Sequence, residues 1–250
     1  MEPVTTQEPS KFAFPTETIE LPSKGLLYPK ENPLSSGTVE LRYMTAVHED
    51  ILTNQSYIQK GNVLDKLMQA LIVSPINYDD IIVGDKNAIM IASRILGYGK
   101  DYSFTYNGEE QSVDLTVLEN KVFDEKLITP GVNEFAFTLP NTNAIITFKI
   151  LTHGDEKKIN QELEGLKKIK KDSSPELSTR LKYIITSVNG DTTPKVIRDF
   201  VDNHLLAMDS RALREYIKNV QPDVDLTFFP DGSEKAVNIP IGLNFFWPDL

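Results

Sequence analysis

The chain has 250 residues, no cysteine, and 36 acidic against 26 basic side chains, a formal net charge of −10. Without cysteine there are no disulfides, thiolate zinc sites, iron–sulfur clusters or cysteine nucleophiles, and three histidines scattered at 48, 153 and 204 make a poor metal site. With 40% apolar and 25% charged residues, the chain can bury about 73% of its extended surface, while its acidity disfavours nucleic acid and anionic membranes as partners.

The sequence opens as an arm, with Pro3, Pro9, Pro15, Pro22, Pro29 and Pro33. Proline lacks an N–H and disfavours helix in the residue before it, so an extended segment with a short strand at 18–21 is expected. The arm also carries Phe12, Phe14, Leu26, Leu27 and Tyr28, which a solvated linker does not need. Either it packs on its own domain or it docks on a neighbouring subunit. No basic segment followed by an apolar run opens the chain, and no window holds ~18 consecutive apolar residues. A soluble protein made in a cytoplasm is the expectation.

Val39, Leu41 and Tyr43 alternate with polar residues over 38–43, a half-buried strand. Thr45 then reads as the cap of a helix over about 46–54. Val63, Leu64, Leu67, Met68, Leu71 and Ile72 have helical spacing, stopped by Pro75. Asp85 reads as the cap of a third helix, Lys86 to Leu96, with Gly97 in the left-handed position at its end. The period then changes to two. Tyr102, Phe104 and Tyr106 face Val113, Leu115 and Val117 across Asn107-Gly108, a strong hairpin signal. Phe135, Phe137 and Leu139 pair with Ile146, Phe148 and Ile150 across the turn-forming 140–143.

Asp155 is the expected cap of a charged helix to about Lys171, with a basic cluster at Lys167, Lys168, Lys170 and Lys171. Leu177, Leu181, Tyr183, Ile184 and Ile185 make another helix after Ser174-Pro175. Thr193-Pro194 opens a further one with Val196, Ile197, Phe200, Val201 and Leu205 inward, and Asp209 caps a last helix over Ser210–Asn219. A strand at 226–229 and a turn at Asp231-Gly232 lead to a tail crowded with Leu243, Phe245, Phe246 and Trp247. An exposed tail of that kind is sticky, so burial is expected.

The whole reads as α+β: a mainly helical body with an inserted small antiparallel β unit, an extended N-terminal arm and an aromatic C-terminal tail. The boundaries are 1–37 for the arm, 38–100 for a strand plus helices, 101–151 for the β insertion, 152–220 for a helical part, and 221–250 for the C-terminal strand and tail.

Catalytic signatures are missing. Gly97-Tyr98-Gly99-Lys100 is followed by Asp101, so it lacks the hydroxyl of a phosphate-binding loop. There is no G-x-S-x-G elbow and no H-E-x-x-H. His153-Gly154-Asp155 reads as a loop residue beside a helix cap, with anion binding as the functional alternative. The pairs Asp79-Asp80 and Glu109-Glu110 serve a hydrolase only if the fold opposes two carboxylates across a cleft. The lysines at 167–171 read as a solvated face, with phosphate contact as their alternative. No catalytic residue, cofactor or metal is assigned. The aromatic and proline-rich ends point to partner binding, with Phe12, Phe14, Leu26, Leu27, Tyr28, Phe245, Phe246 and Trp247 as candidate contacts.

The order of segments resembles the T4-type phage baseplate hub protein family. It runs through Glu20-Leu-Pro-Ser-Lys-Gly-Leu-Leu-Tyr28, Val39-Glu-Leu-Arg-Tyr-Met-Thr45, Val63-Leu-Asp-Lys-Leu67 and Leu71-Ile-Val73. Ile81-Ile-Val-Gly-Asp85 follows, then Ala92-Ser-Arg-Ile-Leu-Gly-Tyr-Gly-Lys-Asp-Tyr102, 135–140, 147–151, Asp155-Glu156 and Phe245-Phe-Trp-Pro248. The similarity covers about 17–250. Many family members carry a Cys-x-x-Cys pair in the β insertion; here that place reads Phe104-Thr-Tyr-Asn-Gly-Glu-Glu-Gln111, so no zinc is expected. The resemblance implies a non-enzymatic structural component of a contractile tail baseplate. Its partners are other phage baseplate and tail proteins, and it is present in multiple copies of a symmetric assembly in the virion. A transient assembly factor of the hub and, more remotely, a tail-associated hydrolase are the alternatives.

Overall fold

The computed structural model describes residues 15–169, 175–230, 233 and 235–246. Strand β1 (Thr16–Glu20) pairs antiparallel with β2 (Thr38–Arg42), Glu20 standing opposite Thr38. The alternation is realised over Thr38–Arg42, where Val39 and Leu41 face the core while Arg42 is exposed; Tyr43 lies beyond the strand and donates to Glu17 Oε1 at 3.0 Å. Thr45 begins α1 (Ala46–Leu52), its N–H donating to His48 Nδ1 at 3.0 Å. A short α2 (Gln55–Gln59), capped by Asn54, precedes α3 (Val63–Leu71), whose Val63, Leu67, Met68 and Leu71 are buried.

Helix α4 (Val83–Tyr98) is the spine, with Ala88, Ile89, Met90 and Ile91 buried on it. The hairpin β3 (Asp101–Tyr106) and β4 (Glu109–Asp114) follows, with Tyr106 opposite Glu109. Its two connecting residues both have positive φ, +51° at Asn107 and +86° at Gly108, the geometry that matches strand twist in a two-residue turn. A third sheet has the order β5-β6-β7, from β5 (Phe135–Thr138), β6 (Ile145–Phe148) and β7 (Ile185–Val188). Helices α5 (His153–Ile169) and α6 (Glu176–Ile184) lie between its last two strands. Helix α7 (Pro194–Asp199) runs into a π-helical turn over Phe200–His204, and α8 (Ala207–Val220) leads to the two-residue strands β8 (Thr227–Phe228) and β9 (Val237–Asn238). One apolar core, continuous from Leu21 to Phe246, runs through all of these parts. The α+β class is as the pattern implied.

Several local expectations are corrected. Asp85 does not cap α4, which starts two residues earlier. Its carboxylate is fully buried and accepts from Ser23 N–H (2.9 Å), Ser23 Oγ (2.6 Å) and Tyr28 Oη (2.6 Å). Tyr28 Oη also accepts from Ile82 N–H at 3.0 Å. The end of α4 is at Gly99 (φ +85°) rather than Gly97, because Gly97 stays helical against the Met44 side chain. Helix α8 begins at Ala207, and Asp209 in its first turn is turned inward, accepting from the main-chain N–H groups of Asn141 and Thr142. The 101–151 stretch forms two separate sheets, and the second is completed by β7 from beyond it, where the apolar spacing predicts Ile185 in a helix. Val196, expected inward, is exposed, and so is Leu177 of the apolar set that marks α6. The turn at Asp231-Gly232 and the lysines at 170 and 171 lie outside the described residues.

Two substitutions test this frame. Asp85→Ala leaves the donors of Ser23 and Tyr28 buried without an acceptor, and is expected to cost about 3–5 kcal/mol in urea unfolding, against less than about 0.5 kcal/mol for Glu110→Ala on exposed β4. At Gly84 an added Cβ falls 1.9 Å from Pro222 O. Gly84→Ala therefore has to separate α4 from the 222–223 backbone, with an expected loss of about 1–3 kcal/mol by the same measurement.

Candidate functional site

The densest grouping of ionisable side chains around a histidine lies where α3, the turn Tyr78–Asp80, α4 and the start of α5 meet. The backbone there is held by a short antiparallel bridge: Val83 N–H donates to Leu151 O (3.1 Å) and His153 N–H to Ile81 O (2.7 Å). Asn77 Oδ1 accepts from Asp79 N–H and fixes the 78–80 turn. Thr152 and Asp155 exchange bonds, Thr152 N–H to Asp155 Oδ2 and Asp155 N–H to Thr152 Oγ1, which starts α5 at His153. This reciprocal pattern satisfies N–H groups that a helix start leaves open.

Four elements thus converge on one imidazole. Lys86 Nζ lies 2.7 Å from Asp65 Oδ1 and 3.1 Å from His153 Nδ1. On the other side, His153 Nε2 is 3.6 Å from Asp65 Oδ2 and 3.8 Å from Asp79 Oδ1, and Lys157 Nζ is 3.6 Å from Asp79 Oδ2. The Tyr78 ring packs on the imidazole with centroids 4.5 Å apart, and its hydroxyl donates to Asp65 Oδ1 at 3.2 Å. The sequence reading of His153 as a loop residue is corrected: it is the first residue of α5 and is buried.

The chemistry follows from who donates. An ammonium has no acceptor capacity, so Lys86 donates to Nδ1 and the ring proton sits on Nε2, facing the two carboxylates. Burial, then the Lys86 charge, hold the imidazole pKa below its usual value against the opposing pull of Asp65 and Asp79. Burial and Asp65 push the Tyr78 hydroxyl far up. Both groups therefore keep one protonation state near neutrality. The imidazole lone pair is already taken by Lys86, which leaves none to accept a proton from a bound molecule. Two cations and two carboxylates balance. The arrangement performs cross-linking of four elements. A groove of about 330 Å³ opens beside it, lined by Asp79, Asp80, Thr152, Gly154, Lys157 and Gln161.

The other candidates are dispersed. Asp80 accepts from Asn32 and Asn77, while Glu109 and Glu110 stand exposed near the hairpin turn. His48 is occupied in the α1 cap, and His204 is exposed 3.3 Å from Asp199. Lys167 and Lys168 are exposed at the end of α5. Among the described residues no three His, Asp or Glu side chains are grouped to hold a metal ion, and no helix is long and apolar enough to cross a membrane.

The candidate partner contacts need correction. Leu27, Tyr28, Phe245 and Phe246 are no more than 4% exposed, and Leu26 is partly buried against the same core. The reason is local. The 21–28 turn folds back onto Asp85, and the 3-10 turn Leu243–Phe246 lays Phe245 edge-on to Tyr102, centroids 4.8 Å apart. These side chains serve the chain's own core. Phe12, Phe14 and Trp247 lie outside the described residues. The large apolar side chains that do face solvent include Val122 (98% exposed), Val47, Met208 and Phe229. No periodic signal marked them, since each stands singly in a loop or helix end.

The junction predicts a pH dependence. The unfolded chain titrates His153 near its ordinary value, about 6.5, and the folded chain titrates it lower. Its contribution to stability is complete above about pH 6.5 and is lost as pH falls toward the folded value. Urea midpoints at pH 7.5 and 5.0 are expected to differ less in His153→Gln than in the parent protein. His48, also held low by burial and Arg42, keeps part of the dependence in both.

Comparison of the chain with protein-family models, with curated proteins and with solved structures gave no match.

Proposed function

We propose that this chain is a structural, non-enzymatic component of a contractile phage tail baseplate, at or beside the hub, in contact with other baseplate and tail proteins. The observation that carries the reading is how the segments that resemble the hub family are used. Glu20–Tyr28 and Ile81–Asp85 come from distant parts of the sequence and are joined by the Asp85 bonds to Ser23 and Tyr28. The stretch ending at Tyr102 is joined to the C-terminal Phe245 by a ring contact. Those segments are the struts of this fold, so their order has a physical reason. The polar junction supports the same reading: its imidazole is engaged in holding elements together.

Contact with neighbours then falls to exposed side chains such as Val122, Met208 and Phe229, not to the buried aromatic residues. The test is mass spectrometry of purified phage tails together with deletion of the gene. The chain recovered in finished baseplates supports a permanent subunit. Its absence there, with tail assembly blocked by the deletion, supports the assembly-factor form of the role. Normal, infectious tails after deletion overturn both.

A further inference from the structure

Among the described residues, strand β1 is an edge strand whose outer hydrogen-bonding groups pair with no other strand. Leu21 N–H donates to Gly37 O, and the register sets Ile19 opposite Val39 and Glu17 opposite Leu41. In an antiparallel ladder bonded pairs alternate with unbonded ones, so Glu17 and Ile19 use their main-chain groups on β2. Glu40, opposite Thr18, confirms the phase: its carbonyl accepts from Val73 N–H and its own N–H donates to Ser74 Oγ, both on the far side of β2. Thr16, Thr18 and Glu20 therefore aim N–H and C=O away from β2. All three are exposed, and their outward main-chain groups have no partner among the described residues.

An open edge is a template for another strand, and this one is complementary to itself. The outward set 16, 18 and 20 is symmetric about Thr18. We propose that β1 pairs antiparallel with β1 of a second copy of this chain, across a twofold axis at Thr18, making a sheet of order β2-β1-β1-β2. In that register Thr18 faces Thr18 and Thr16 faces Glu20, so each outward N–H meets an outward C=O. Thr16, whose hydroxyl donates to Glu40, then stands beside each Glu20 carboxylate on the solvent face, and Glu17 lies opposite Ile19. The neighbouring registers are worse. Centring on Glu17 sets two Glu17 carboxylates opposite each other, and centring on Ile19 brings Pro22, which has no N–H, opposite Thr16. An interface of this size belongs to the weak, concentration-dependent class, and the charge of −10 on each copy weakens it further at low salt. The pairing does not depend on the baseplate reading.

The test is analytical ultracentrifugation of the full chain over a concentration series at moderate salt. The average mass is expected to rise from 28.2 kDa toward twice that value. Thr18→Pro removes an outward N–H and leaves the β1–β2 bonds in place, and it is expected to weaken the dimer at least about tenfold with the urea midpoint unchanged. Thr18→Val, which keeps the backbone donor, is expected to dimerise like the parent. Amide exchange gives a second readout in the unmodified protein: Thr16, Thr18 and Glu20 gain protection as concentration rises, while Glu17 and Ile19 do not change. A chain that stays at 28.2 kDa with those three amides exchanging fast overturns the proposal. So does a dimer that persists in Thr18→Pro, because its contact then lies elsewhere.

Discussion

The Asp85 carboxylate decides where the first third of the chain goes. It is completely buried in the first turn of α4 and collects three donors from the 21–28 turn. Burial pushes its pKa up while the bonds from Ser23 and Tyr28 pull it down. A buried carboxylate without those donors is too costly to keep, and the turn without the carboxylate has no buried acceptor for Tyr28. Each half therefore specifies the other. With Tyr28 fixed, Leu27 and Leu21 enter the core and the strand that precedes them is delivered to β2. Gly84, one residue before, lets the 222–223 backbone approach the same turn of α4, so the start of this helix fastens both the N-terminal turn and the stretch after α8.

The far end of α4 solves a different problem. Arg94 is 6% exposed and has no carboxylate partner among the described residues; its guanidinium donates to Gly99 O (2.9 Å) and Asp101 O (3.2 Å) and lies over the rings of Tyr98 and Tyr102. A cation near a helix C-terminus meets the negative end of the dipole and its unpaired carbonyls, and the two rings add cation–π attraction. Tyr102 in turn donates to Pro240 O and packs on Phe245. The helix thus gathers the N-terminal turn at one end and the C-terminal aromatic residues at the other. Sheets of two or three short strands are weak alone, and here they are positioned by what this helix holds.

The sequence made those parts legible that have a local cause. The hairpin at Asn107-Gly108 needed only a two-residue period and two residues tolerant of positive φ, and α3 needed only its apolar stripe. Asp85 and Asp209 depart from the capping role that their positions predict for one shared reason. An acidic residue near a helix start satisfies the local capping rule, and only tertiary structure reveals that its carboxylate is turned to a distant turn, 21–28 in one case and 141–142 in the other. β7 was hidden because Ile185 continues the apolar spacing of α6, and the edge of β6 that draws it into a strand lies some forty residues away. The imidazole junction had no signature, since Asp65, Asp79, Lys86 and His153 have no common spacing; the one available hint was a histidine beside a helix cap. The burial of Phe245 and Phe246 was foreseen, but the choice between own core and neighbour is settled by chain path, which composition does not encode.

Part of the chain's acidity has structural work in the loops. Asp114, Asp124 and Asp225 each accept the main-chain N–H two residues ahead, and Asp191 does the same for Thr193. Asn32 and Asn77 do so with neutral side chains. Such turns give the backbone partners where no ladder is available. The carboxylates respond as expected for groups whose charged form is bonded. Lys100, then Thr116, hold Asp114 at about 2, and the Thr193 and Thr227 donors hold Asp191 and Asp225 low. A fold whose strands are only two to six residues long has many chain reversals and few ladder bonds to fix them. Aspartate supplies that fixing locally, and the negative net charge is in part the consequence of building a body from short elements joined by many tight turns.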